Sequence, residues 1–325
     1  MPVLNANPIR RANAHADPLP ALRLLIGPPR SGTTLLAYLL SGGTGALAFS
    51  EPLLARAVLP DWKLQRLFRL FQSRTGLNRR RPPHNPTPDN LLRYLRRLAR
   101  ANRRDYPLIK ETFRAAPLPG AWRNIPNLDH VRERCRAAVS IVRHPFDATA
   151  SFVKLASLLL GWRGRLLRVR WPILPAFRDR AELVSLAARN WAAFAEWTRA
   201  GGIARVRYED LVARPETVVP LVCGELRIPF SSAMLRQDGR TRPFGGIGDF
   251  SVIRKGAGPL SSAPIGRGRQ LSDTERALIR RICGPHAESF GYPLAEPIRC
   301  LSGSVSAVTK RSTSACMISA GTLDS

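Results

Sequence analysis

Residues 22 to 40 read LRLLIGPPRSGTTLLAYLL. Leu22 to Gly27 is a short apolar run of strand length, Gly27 to Thr34 is a loop of small and basic residues, and helix formers resume at Leu35. Strand, glycine loop, helix is the layout of a phosphate-binding loop. The helix is expected to begin near Ser31, so that its free N–H groups and positive dipole end face the loop and offer a seat to an anion. Gly32 lets a phosphate come close to the backbone, and Thr33 and Thr34 add hydroxyl donors. Gly27 and Gly32 keep the Walker spacing, but the next position is Thr33, where a nucleotide triphosphatase carries lysine. The cation comes earlier, at Arg30. Such a loop can hold a terminal phosphate but lacks the lysine that reaches β- and γ-phosphates. The competing reading is a glycine turn without a ligand.

The chain around this stretch has 325 residues, enough for one large domain or two small ones with a sizeable core. Hydrophobic residues make up 44% and charged residues 23%, which places it among globular proteins. The net charge of +28, from 51 basic and 23 acidic residues, implies a polyanionic partner. Nucleic acid, an anionic membrane surface and phosphorylated or sulfated small molecules all qualify; the plainer alternative is a set of solvated arginine-rich faces. Cys135, Cys223, Cys283, Cys300 and Cys316 are scattered, and none forms a CxxC pair or a cluster with histidine at zinc spacing. The expectation is a reducing, cytoplasmic setting and no metal. No apolar core of a secretory signal precedes Leu19, and no apolar run reaches the ~18 residues of a membrane span.

In chain order, residues 1 to 20 read as a disordered tail rich in Asn, Ala and Pro. Ser41 to Gly45 is a glycine turn and Ala46 to Phe49 a short strand that runs into Ser50-Glu51-Pro52. Helices are expected over Asp61 to Phe71 and, capped by Asp89, up to Ala101. Strands follow at Tyr106 to Lys110, Ala137 to Val142 and Ile203 to Arg207. Helical patterns fill Phe146 to Leu160, Ala181 to Arg199 and Glu216 to Leu226. Phe244 to Gly268 reads as a long loop, and a helix over Ser272 to Cys283 opens with a capping box, Ser272 with Glu275. From 295 to 325 the chain becomes a Ser/Thr-rich tail, which leaves 21 to 294 as the domain. Strands alternating with helices predict an α/β fold, a central parallel sheet flanked by helices in three layers. Ligands of such folds sit at the carboxyl ends of strands, where the loop, Lys110, Arg143 and Tyr208 all fall.

Pro29-Arg30-Ser31-Gly32-Thr33-Thr34 resembles the 5′-phosphosulfate loop, P-[RK]-S-G-T-[TS], of sulfotransferases that use 3′-phosphoadenosine-5′-phosphosulfate (PAPS). The resemblance extends over residues 22 to 293, is to the bacterial and Golgi-like branch, and implies a P-loop-like fold. It implies that Arg30, Ser31, Gly32, Thr33 and Thr34 hold the phosphosulfate, and that Arg143 and Ser151, eight positions apart, bind the 3′-phosphate. Glu51 stands where related proteins carry a catalytic glutamate. As a base it would take the acceptor's proton, unless it merely caps a helix starting at Pro52; Asp147 and Glu111 are weaker candidates for the base. Lys110 and Arg30 would stabilise charge on the moving sulfuryl group, unless Lys110 snorkels from the strand end. Tyr208 is expected to pack near the nucleotide. Arg254-Lys255-Gly256 matches an element that binds the 3′-phosphate in the cytosolic branch; Gly266-Arg267-Gly268 lacks the tryptophan of the G-R-W element of the other branch.

The function so implied is in-line sulfuryl transfer from PAPS to a hydroxyl or amine, with adenosine 3′,5′-bisphosphate as product and no metal. The apolar and basic stretch from Leu155 to Phe177 is the expected seat of acceptor specificity; it favours a glycan or glycolipid acceptor and allows peripheral contact with an anionic membrane. A P-loop kinase is the first rival, disfavoured by Thr33 in place of the Walker lysine. The second is a nucleic-acid-binding protein, disfavoured because the basic residues are spread along the chain and not gathered on one module.

Overall fold

The computed structural model describes residues 20–77, 80–114, 128–160, 179–236, 244–246 and 264–294. Six parallel strands form one sheet in the order β5-β4-β1-β3-β2-β6. They are β1 (Leu22–Gly27), β2 (Ala46–Ser50), β3 (Tyr106–Thr112), β4 (Cys135–Val142), β5 (Ala204–Arg207) and β6 (Phe244–Gly246). Every residue of β1 is buried, Arg23 included, which is why Leu24, Leu25 and Ile26 follow one another without a polar alternation. Leu22, Leu24 and Ile26 pack into one layer of helices, and Leu25 into the other. The first layer holds α2 (Pro52–Val58), α3 (Asp61–Thr75), α4 (Pro88–Ala101), α5 (Leu128–Glu133), α6 (Pro145–Leu160), α7 (Arg180–Ala200) and α10 (Asp273–Ala287). The second holds α1 (Thr33–Leu40), α8 (Tyr208–Ala213) and α9 (Pro215–Leu226). This is the three-layer P-loop-like arrangement.

β1 has β3 on one side and β4 on the other. The chain goes out to β2, returns through β3 beside β1, and then crosses to β4. That reversal opens a crevice at the carboxyl end of β1, the usual ligand position in such sheets. At the opposite end, the buried Arg23 guanidinium donates to the carbonyls of Leu226 (3.2 Å), Asp105 (3.1 Å) and Arg227 (3.3 Å) and ties α9 to the sheet.

Several boundaries differ from the sequence expectation. α1 begins at Thr33 and not near Ser31, because Gly32 is left-handed (φ 91°) and cannot be helical. β3 does not end at Lys110 but runs on to Thr112, which places Lys110 inside the sheet opposite Leu25. Thr87, not Asp89, caps α4; its hydroxyl accepts from the N–H of Asn90, while Asp89 binds His130 and Arg134. The expected loop from Phe244 opens with β6, which pairs with β2. Ser272 and Glu275 form both halves of the expected capping box. The tails through residue 19 and from 295, the basic segment from 161 to 177, and Arg254 and Lys255 lie outside the described residues. No helix among the described residues is long and apolar enough to cross a membrane.

After α10 the chain folds back, and the buried Tyr292 hydroxyl donates to Glu209 Oε2 at 2.6 Å. Glu209 Oε1 accepts from the His144 N–H at 2.9 Å, so one carboxylate joins the last segment, α8 and the β4–α6 corner. Tyr292→Phe removes a hydrogen bond to a charged acceptor, and urea denaturation should show a loss of about 1.5–3 kcal/mol.

Candidate active site

The glycine loop is built around backbone strain. Arg30 is left-handed (φ 68°), a region costly to side chains with a Cβ. Gly32 follows in the same region, and a Cβ there would lie 2.4 Å from Cδ2 of Tyr208. Tyr208 therefore packs directly on the loop, and its contact explains the glycine. The left-handed turn sends the Arg30 side chain away from β1, toward α6, where Nε donates to Ser151 Oγ at 3.2 Å. Ser31, Thr33 and Thr34 are buried around the same turn, and Ser31 Oγ has no hydrogen-bond partner among the described residues.

Arg143 directly follows β4, beside this loop. Its guanidinium donates to the Arg30 carbonyl at 3.4 Å and to the Pro264 carbonyl, and lies 4.9 Å from the Tyr208 ring centroid. Asp147 Oδ2, one helical turn on, is 3.7 Å away. Burial lowers the pKa of Arg143, although Asp147 partly offsets this. The Trp191 indole N–H donates to the Arg143 carbonyl at 2.9 Å, which gives this residue of α7 a positioning role. Arg143 Nε is buried and without a partner among the described residues. Two orphaned donors, Ser31 Oγ and Arg143 Nε, thus stand at the strand ends that bracket the crevice. They suit a phosphorylated ligand, because a buried donor left unpaired costs about 1–3 kcal/mol.

On the other side of β1, Glu51 follows β2, left-handed at φ 53° and 6% exposed. It precedes α2 but does not cap it with its side chain. Its Oε1 instead accepts from Lys110 Nζ at 2.6 Å and from the Thr112 hydroxyl. Lys110 is 2% exposed, so it does not snorkel; it is a buried ion-pair partner. Burial pushes the Glu51 carboxyl up, but Lys110, Arg114 and the hydrogen bonds from Lys110 and Thr112 outweigh it and hold the pKa below the ordinary glutamate range. Glu51 is therefore an anion at neutral pH. Thr112 pairs in register with Gly27, the first residue of the loop, so the carboxylate is carried to the loop's edge.

The weaker candidates for the base have other roles. Asp147 spends both oxygens on the N–H groups of Gly266 (2.8 Å) and Gly268 (2.6 Å), clasping the Gly266-Arg267-Gly268 turn to α6. A Cβ at position 268 would lie 2.5 Å from Phe146 Cβ, which fixes that glycine. Glu111 is buried and accepts from the Leu53 N–H at 2.8 Å. Burial lowers the pKa of His144, so it is neutral, and its Nδ1 accepts from the Phe146 N–H at 3.3 Å. Sequence reasoning missed Thr112, Trp191 and the Glu209–Tyr292 clasp. Glu209 directly follows Tyr208, the nearest residue that the sequence singles out.

Fold and crevice together define a P-loop-like α/β domain that gathers a glycine loop and buried cations at the carboxyl ends of its strands. A family model described as "Sulfotransferase family" matches residues 24–232, and the chain belongs to that family. Among solved structures it is similar to the sulfotransferase domain from the curacin biosynthetic pathway, with 20% identity and a TM-score of 0.52, over 85% of this chain and 99% of that one. It is also similar to the sulfotransferase domain of the Synechococcus PCC 7002 olefin synthase, with 20% identity and a TM-score of 0.49, over 85% and 97%. A mouse sulfotransferase complexed with PAP aligns at 15% identity and a TM-score of 0.37, over 82% and 90%. No curated protein matches.

Lys110→Met tests the buried pair. Removing one partner strands the Glu51 charge, and the variant should lose about 3–5 kcal/mol at pH 7 in denaturant titrations. The folded-state pKa of Glu51 is depressed, so the pair stabilises above the unfolded pKa and that contribution fades as pH falls through the folded value. The gap between wild type and variant should therefore narrow on acidification.

Proposed function

We propose that the protein transfers the sulfuryl group of PAPS to a hydroxyl or amine acceptor, with Glu51 as general base. The observation that carries this reading is the convergence, on the carboxyl ends of β1, β3 and β4, of the glycine loop, an ionised buried glutamate and two orphaned donors. Ser31, Gly32, Thr33 and Thr34 would receive the phosphosulfate; Arg143 and Ser151, already linked to each other through Arg30, would receive the 3′-phosphate. Tyr208 backs both by packing on Gly32 and Arg143. Arg254 and Lys255 would add cations from the segment that follows β6.

In the step itself the acceptor oxygen or nitrogen attacks sulfur, its proton passes to Glu51, and the bond from sulfur to the bridging phosphate oxygen breaks. Adenosine 3′,5′-bisphosphate leaves with the electron pair. Arg30 and Lys110 balance the negative charge that moves from the sulfuryl oxygens to the leaving phosphate. Lys110 also keeps Glu51 ionised before the step, so the base is ready at neutral pH. The acceptor proposed is a glycan or glycolipid; the apolar and basic composition of residues 155–177 supports that choice.

Calorimetric titration with adenosine 3′,5′-bisphosphate should show binding to wild type and, on Arg143→Ala, at least a roughly tenfold loss, as expected where a buried charged hydrogen-bond partner is removed. Folded wild type that ignores the nucleotide would sink the reading. With labelled PAPS and a panel of glycan acceptors, Glu51→Gln should bind the nucleotide yet transfer about 10²–10⁴-fold more slowly.

A further inference from the structure

A second buried carboxyl stands beside the Glu51–Lys110 pair, and the mechanism above does not use it. Glu111 lies between Lys110 and Thr112 on β3, and residues alternate across a strand. Lys110 and Thr112 share the face of Leu108, which packs in the layer of α1 and the glycine loop; Glu111 shares the face of Ile109, which packs in the layer of α2. Glu111 is 3% exposed, and its Oε1 accepts from the N–H of Leu53, the second residue of α2.

That bond has a specific meaning at a helix start. The first N–H groups of a helix lack intrahelical partners and are ordinarily met by the side chain of the preceding residue. Glu51 holds that position, yet its carboxylate has swung across to Lys110 and Thr112. Glu111 supplies the missing acceptor from the neighbouring strand. The exchange leaves Glu51 free to face the loop and pins the turn that keeps it left-handed. We propose that Glu111 is a positioning residue for Glu51, an N-cap in trans that works as a neutral carboxylic acid. This inference rests on the reading of Glu51 as the base.

The charge state follows from the surroundings. One acceptor oxygen suffices for Leu53, and a second anion here would compete with Glu51 for the same cations. The ionisable groups facing Glu111 are Glu51 from the β2–α2 corner, Lys110 on β3 and Arg114 just beyond it. Burial, and then the Glu51 charge, raise the Glu111 pKa to about 8, against smaller opposing effects of the Leu53 hydrogen bond, Lys110 and Arg114. A carboxyl with a raised folded-state pKa stabilises the fold while protonated. Its contribution declines as pH rises from the ordinary glutamate range to about 8.

Glu111→Gln keeps the acceptor for Leu53 and cannot ionise; Glu111→Ala removes the acceptor. Melting temperatures of wild type, Glu111→Gln and Glu111→Ala between pH 5 and 9 give the first readout, which needs no activity. Wild type should lose stability toward alkaline pH and Glu111→Gln should lose distinctly less; parallel curves would overturn the neutral-acid assignment. The second readout is kcat against pH with labelled PAPS, beside the dissociation constant for adenosine 3′,5′-bisphosphate. Wild-type kcat should fall through about pH 8 while the kcat ratio between pH 9 and 7 stays higher in Glu111→Gln. Glu111→Ala should lose roughly 10- to 100-fold in kcat, the scale of a misplaced catalytic group, with nucleotide affinity retained. Ala with wild-type kcat would overturn the positioning role. If wild type itself transfers no sulfuryl group, the Glu51 reading fails, and the melting curves still decide whether Glu111 is a neutral cap.

Discussion

Lys110 sits at 2% exposure in the middle strand of one half of the sheet, and Glu51 lies 2.6 Å from it. A charge so placed is tolerable only when its opposite is held close and hydrogen-bonded, because desolvation of each ion costs several kcal/mol. That requirement organises the region. Glu51 keeps the residue position before α2 but takes a left-handed backbone and turns its carboxylate to Lys110 and Thr112 on β3. Thr112 adds a second donor, and β3 runs past Lys110 to place it there. Glu111 then meets the N–H that Glu51 leaves behind.

The other half of the crevice is organised by Arg143 in a comparable way. Its guanidinium meets the Arg30 and Pro264 carbonyls, the Tyr208 ring and Asp147, while its carbonyl is held by Trp191. Apart from Asp147, four residues on, these partners come from distant parts of the chain, so the arginine is positioned mainly by the assembled fold. The Asp147 clasp on Gly266 and Gly268 brings the end of the long connection back to the same place. Strain gathers here as well: Arg30 and Glu51, the proposed cation and base, both occupy the left-handed region, at roughly 1–3 kcal/mol each. Such conformations persist only where surrounding contacts over-determine them, and both side chains are bonded into the site.

Legibility in the sequence followed the range of the forces involved. β1, the glycine loop, the capping box at Ser272 and the strand–helix alternation depend on neighbours within a few positions and were readable. The three-residue β6 was not, because Phe-Gly-Gly has no strand signature and exists only through pairing with β2. Asp147 and Glu111 were legible as carboxylates but not as structural acceptors, since their partners lie 119 and 58 residues away. Glu51 before Pro52 could be read as a base or as a helix cap; the position of Lys110 on the adjacent strand draws its carboxylate away from the helix it precedes.

The sequence by itself determined the α/β class, the strand–glycine loop–helix unit and the capping box at Ser272, because spacing along the chain encodes periodicity, turn geometry and helix termini. Tertiary structure alone decided which charges meet. It paired Lys110 with Glu51, gave the Leu53 N–H to Glu111, and gathered Arg30, Arg143 and Ser151 around one turn. Charge state and hydrogen-bond partnership in a buried site depend on distances of a few ångströms between segments far apart in sequence, and the register of a parallel sheet sets those distances.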